Sequence, residues 1–171
     1  MNCRYRLFVP KQAVGANLVY FDMFNATDNN IVLKHVHPIV SGAVAVVGTL
    51  GIDLFLTRTT AIGTGGTAAT RNGTALDAAT ISSMNIQDVD ADASITARLT
   101  PTGGATAGAV LTWMTLFTEE TSAAAYMGQM TAMLNGGDEV VIPPQTGFRV
   151  VQGAVASVGN VGFDIGFDFH Q

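Results

Sequence analysis

The chain has 171 residues, 48% of them hydrophobic and 12% charged, with a formal net charge of −5. That length holds one good hydrophobic core, so a single domain is expected, and no apolar run is long enough to span a bilayer. Charged residues stand at about half the usual fraction, leaving a surface made mainly of Thr, Ser, Asn, Gly and Ala that suits packing against other subunits, where few charges must be desolvated.

The charge is unevenly spread. Residues 1–71 carry six basic groups against Asp22, Asp28 and Asp53, a net of +3, whereas residues 72–171 carry Arg98 and Arg149 against ten acids, a net of −8. Arg4, Arg6 and Lys11 lie beside Tyr5, Phe8 and Pro10 with no acid among them, so residues 1–17 are expected to form an extended docking arm that binds a partner protein. Three cations supply only weak, salt-sensitive attraction to a polyanion and the acidic remainder repels one, which argues against nucleic acid as the partner. No apolar segment with a small-residue cleavage site follows Met1, so no secretory signal is read and a cytoplasmic origin is expected. Cys3, the single cysteine, has no partner for a disulfide or a metal knuckle.

Strand signals begin at Leu18 to Phe24, closed by the turn-forming cluster Asn25 to Asn30, and continue at Ile31 to Ile39. A small-residue run, Ala43 to Val47, is a third candidate, and Gly51 to Arg58 a fourth, with Ile52, Leu54 and Leu56 on one face. From Thr59 to Ser83 Thr, Ala and Gly dominate, and a long loop is expected, a second candidate contact surface. Strands resume at Ser94 to Thr100 and at Val110 to Phe117, where Trp113 is expected in or beside the core. Tyr126, Met130, Met133 and Leu134 recur at helical spacing, so one short helix is expected at 122–134, with a strand over Met127 to Leu134 as the competing reading. An apolar strand ending at Ile142, a Pro143-Pro144 corner and a strand from Phe148 to Gln152 read as a hairpin. Last comes an unbroken alternation: Val161, Phe163, Ile165, Phe167 and Phe169 face inward while Gly162, Asp164, Gly166, Asp168 and His170 face outward. About eight antiparallel strands at this length predict an all-β jelly-roll sandwich.

Gly137-Asp-Glu-Val-Val-Ile-Pro-Pro-Gln-Thr-Gly-Phe-Arg-Val-Val151 followed by Val161-Gly-Phe-Asp-Ile-Gly-Phe-Asp-Phe169 resembles the closing strands of jelly-roll proteins in tailed-bacteriophage particles, and Leu18 to Phe24 with Ile31 to Ile39 is similar to their opening. The resemblance covers about half the chain. It implies a virion structural protein of the capsid decoration (cement) type: a homotrimer that binds the major capsid protein on the shell surface, without enzymatic activity, cofactor or membrane contact. A fibre or tail module that binds a receptor or glycan is the alternative it implies.

Two constellations could hold a metal. His35-Val36-His37 puts two imidazoles on one face of a strand, a spacing used by metal-binding cupins, a second alternative. The cupin pattern needs a carboxylate shortly after and a His in a second motif, and Pro38 to Leu50 contains no acid, so the ligand set is incomplete. Asp88, Asp90 and Asp92 resemble the opening of a calcium loop, but its sixth and twelfth positions hold Ala93 and Leu99 in place of Gly and Glu, which excludes an EF-hand. A looser calcium site stays open beside a solvated acidic turn. No nucleophile elbow is present. Asp164 and Asp168, about 13 Å apart along one strand face, are too distant for a glycosidase pair.

Overall fold

The computed structural model describes residues 5–41, 51–72, 85–87, 95–103, 105–117, 139–156 and 159–170. Among them every regular element is a β-strand: β1 (Tyr5–Ala13), β2 (Val19–Asn25), β3 (Asn30–Ser41), β4 (Gly51–Thr59), β5 (Thr67–Ala68), β6 (Thr70–Asn72), β7 (Asn85–Gln87), β8 (Ile95–Leu99), β9 (Ala107–Phe117), β10 (Val140–Ile142), β11 (Thr146–Gln152) and β12 (Asn160–His170). They form two six-stranded sheets, ordered β10-β3-β12-β1-β7-β6 and β5-β8-β2-β11-β4-β9.

The pairing has a simple logic. β1 pairs with β12, β2 with β11, β3 with β10 and β4 with β9, all antiparallel, so the chain is a long two-stranded ribbon folded back on itself. Rolling that ribbon brings β12 beside β3 and β11 beside β4, which gives the two interlocked four-stranded sheets of a jelly roll. The segment between β4 and β9 adds β8 and β5 beside β2 in one sheet, and β7 and β6 beside β1 in the other.

The core lies between the sheets. β12 supplies Val161, Phe163, Ile165 and Phe167, all fully buried, as its alternation predicts. Phe163 meets Tyr20 edge-on at a ring separation of 5.4 Å and Phe21 at 5.5 Å, and Phe21 in turn meets Phe148 at 5.8 Å. β12 and β1 read as alternating because their inward faces carry the core, whereas β2 is buried through four consecutive residues, Tyr20 to Met23.

The stretch expected to be a docking arm is instead a strand inside the sheet. Tyr5, Leu7 and Val9 are buried, paired across β12 with Phe167, Ile165 and Phe163, so the basic residues alternate with core residues. Arg6 and Phe8 stand on the outer face, Lys11 is exposed in a bulge between Val9 and Gln12, and Arg4 lies outside the described residues. Gly162 faces that bulge: a Cβ there would sit 2.7 Å from the Val9 carbonyl oxygen and 3.0 Å from the Lys11 nitrogen, so glycine lets the two backbones approach.

Other expectations are corrected too. The proline corner does not close a hairpin: β10 and β11 belong to different sheets, and Pro143-Pro144 carries the chain across the sandwich edge. Part of the long loop is strand, β5 and β6. Trp113 is 62% exposed, outside the core. The expected helix at 122–134, the strand at Ala43 to Val47 and the acidic cluster Asp88, Asp90 and Asp92 lie outside the described residues.

One buried amide ties the strand ends together. Gln152, 1% exposed, accepts hydrogen bonds at Oε1 from the Tyr20 hydroxyl (2.7 Å) and the Gly15 N–H (2.9 Å), and donates through Nε2 to the Val155 carbonyl (2.8 Å). Burial pushes the Tyr20 phenol far above its ordinary range, so it acts here as a neutral donor. Tyr20→Phe keeps the ring and leaves Gln152 Oε1 its Gly15 bond, so the expected cost is only about 1 kcal/mol, a fall of roughly 2–4 °C in Tm for a domain of this size. Thermal melting followed by circular dichroism checks it; a fall several times larger would mean the hydroxyl organises more than this one amide.

Candidate functional site

The outer face of the β3–β12–β1 sheet gathers the chemistry-bearing side chains. On β3, Leu33 and Val36 are core residues while His35 and His37 take the opposite face. His37 pairs in register with Asp164 and His35 with Gly166, and Gly166 pairs in turn with Arg6 on β1. A position without a side chain thus separates His35 from Arg6 and leaves room for both. The register slips between Gly166 and Phe167, leaving Lys34 unpaired in the ladder, where its ammonium bonds Glu139.

In this frame the two imidazoles stack, with ring centroids 4.5 Å apart and planes at 22°. Asp164 accepts from Arg6 through both oxygens, Nε to Oδ1 at 3.1 Å and Nη2 to Oδ2. His35 Nε2 lies 3.7 Å from Asp164 Oδ2. One donor atom from each of His35, His37 and Asp164 fall within 4.8 Å of one another. His35 is 6% exposed, and neither of its ring nitrogens has a hydrogen-bond partner, an unusual state for a buried polar group. Burial pushes its imidazole down from the ordinary histidine range; the Asp164 carboxylate counters this, and His37 and Arg6 add to the push.

The pair His35 and His37 was legible as two imidazoles on one strand face. Asp164 was legible only as an outward residue of the last strand, since its meeting with His37 depends on the register between β3 and β12. Arg6, expected as an arm residue, is the partner that clamps this carboxylate. The interior beneath the pair is filled by Val36, Ile165 and Leu7, and the histidines face outward.

A second polar cluster sits on the outer face of the other sheet. Asp22, 2% exposed, stands in register between Arg98 and Arg149. Arg98 Nη1 donates to the Gly65 carbonyl (3.0 Å), and Arg149 donates from Nη1 to the Ala105 carbonyl (3.2 Å) and from Nε to Thr57 Oγ1 (3.3 Å). Burial pushes the Asp22 carboxyl upward, while the backbone N–H of Gly63 and the two guanidiniums pull against it. A Cβ on Gly63 would fall on Asp22 Oδ2. This cluster pins the connections after β4 and β8 onto the sheet, a structural duty.

The third feature is apolar. Among the described residues β9 is the edge of its sheet and, from Ala107 to Phe117, carries no charged residue and no proline. Trp113, paired with Phe55, and Val110, 55% exposed, lie on its outer face, continuous with Val151 across β4. The chain matches no family model, no curated protein and no solved structure.

Proposed function

We propose that the chain is a non-enzymatic virion structural protein, a capsid decoration (cement) protein of tailed-bacteriophage type that self-associates, as a homotrimer, and docks on the major capsid protein. The observation that carries this reading is the β9 edge. Sheet proteins blunt exposed edges with charges, prolines, bulges or short strands. The irregularities of β9 fall around Thr57 of its partner, and Thr112–Phe117 remains regular, uncharged and crowned by Trp113, the residue type most enriched at the centres of protein interfaces. Such an edge is suited to pairing with another copy of the chain. Jelly rolls serve widely in viral capsids, an analogy of fold that adds weight without assigning a role.

Mechanistically, a decoration protein acts by mass action. Each bound copy buries surface that exists only in the assembled shell, which adds binding free energy against expansion or rupture. Deleting residues 5–13 would strip a core strand rather than remove an arm, so we assign the contact to the edge strand and the connecting loops.

Two measurements test the reading. By light scattering after gel filtration, the wild-type chain is expected above monomer mass and Trp113→Asp at monomer mass with an unchanged circular dichroism spectrum. In purified virions of the virus that encodes it, hundreds of copies relative to the major capsid protein are expected. A dozen copies would favour the tail or fibre module, and complete absence from particles would sink the virion reading.

A further inference from the structure

We propose that His35, His37 and Asp164 form a binding site for one Zn²⁺-class divalent ion on the outer face of the sheet, with the fourth coordination position open to a ligand from outside the chain. This is independent of the virion reading. Two imidazoles and one carboxylate are a donor set that suits Zn²⁺, and three protein ligands with one vacancy is the composition of its open sites.

The geometry supports it in three ways. Ligands that share a tetrahedral ion at about 2.0–2.2 Å lie roughly 3.3–3.6 Å from one another, and His35 Nε2 and Asp164 Oδ2 are already 3.7 Å apart. The near-parallel stacking of His35 on His37 lets both rings offer a nitrogen to the same side, with a small rotation bringing the remaining atoms together from within 4.8 Å. Above all, His35 is buried, neither ring nitrogen makes a hydrogen bond, and Nε2 has only the Asp164 oxygen 3.7 Å away. A buried polar nitrogen without its hydrogen bond is destabilising, and an ion at this point would satisfy one nitrogen by coordination.

Arg6 has a double effect. Its bidentate grip fixes the carboxylate plane, as partners of metal ligands commonly do, while its charge opposes a cation. The grip leaves each Asp164 oxygen a further lone pair, so coordination does not require Arg6 to leave.

The test uses the tag-free protein, stripped with chelator and titrated with Zn²⁺ by calorimetry, with Co²⁺ as a visible-absorbing substitute. One equivalent of Zn²⁺ is expected to bind, with Co²⁺ developing ligand-field bands and Zn²⁺ raising the Tm. His37→Ala and Asp164→Asn are each expected to weaken binding by at least 10-fold, since even partners of ligands are worth about 10–100-fold. His37 is half-buried and Asn is nearly isosteric with Asp, so at least one variant should retain native melting. Absence of stoichiometric binding by the wild type would overturn the proposal. So would unchanged affinity in a natively melting variant, which would place the ion elsewhere.

Discussion

Phe163→Ala is expected to cost about 3–5 kcal/mol, the range for removing a fully enclosed aromatic side chain, and to lower the Tm by roughly 10 °C or more. Phe163 has no exposed surface and contacts Tyr20 and Phe21 of the facing sheet, so truncation opens a cavity where the two sheets meet. Its neighbours are held by strand pairing on both sides, β1 and β3, and the hole has little scope to collapse. Against a typical total stability of about 5–15 kcal/mol, this single change takes a large share. Phe163→Leu, closer in volume, should cost well under half as much. Urea unfolding of the three proteins measures both; equal costs for Ala and Leu would show that ring contacts, rather than volume, hold this point of the core.

Asn25→Ala is expected to cost about 2–4 kcal/mol, because one small side chain closes the turn between β2 and β3. Asn25 is fully buried. Its Nδ2 donates to the carbonyls of Asn29 (2.8 Å) and Ile142 (3.1 Å), and its Oδ1 accepts from the Thr27 N–H (3.1 Å) and Oγ1–H (2.6 Å). Alanine leaves several of these groups buried and unpaired, each a loss of about 1–3 kcal/mol that is only partly recovered by rearrangement or water. Asn25→Asp separates the two halves of the network. The carboxylate still accepts from Thr27 but faces two carbonyl oxygens, so its folded pKa should rise above the unfolded value near 3.9. A raised folded pKa gives a contribution present at low pH and lost as pH rises. Asn25→Asp should therefore trail the wild type most at neutral pH and recover part of the gap on acidification, as read from paired denaturation curves; a gap independent of pH would contradict this account of the turn.

How much of this was legible in the sequence depended on whether one face or two carried the signal. β12 was readable because its inward residues are Val, Ile and Phe and its outward ones Gly, Asp and His, so sheet, face and core membership followed from period two alone. β1 has the same alternation, Tyr5, Leu7 and Val9 against Arg6 and Phe8, but its basic residues and Pro10 suggest an arm, and the bulge after Val9 ends the pattern early. Trp113 shows the converse failure. In Val-Leu-Thr-Trp-Met-Thr-Leu-Phe apolar residues occupy both faces, so the pattern marks a strand without saying which side is inside, and an edge strand with an apolar outer face defeats that inference. The cluster on the outer face was half readable: His35 and His37 are set by one strand, whereas Asp164 and Arg6 reach them through register, a property of strand pairs that no single segment contains.

The rolled ribbon also sets the order in which the molecule can be made. Arg6 finds Asp164 across 158 residues of sequence, and β1 and β3 both pair with β12, with β7 and β10 as their second partners. No two of β1 to β4 pair with each other, so each must find its partners among strands later in the chain, and the loop-closure cost of these distant pairings falls due before any of them rewards it. Folding is accordingly slow, and the unmatched strands must be kept from one another's edges until β12 is in place.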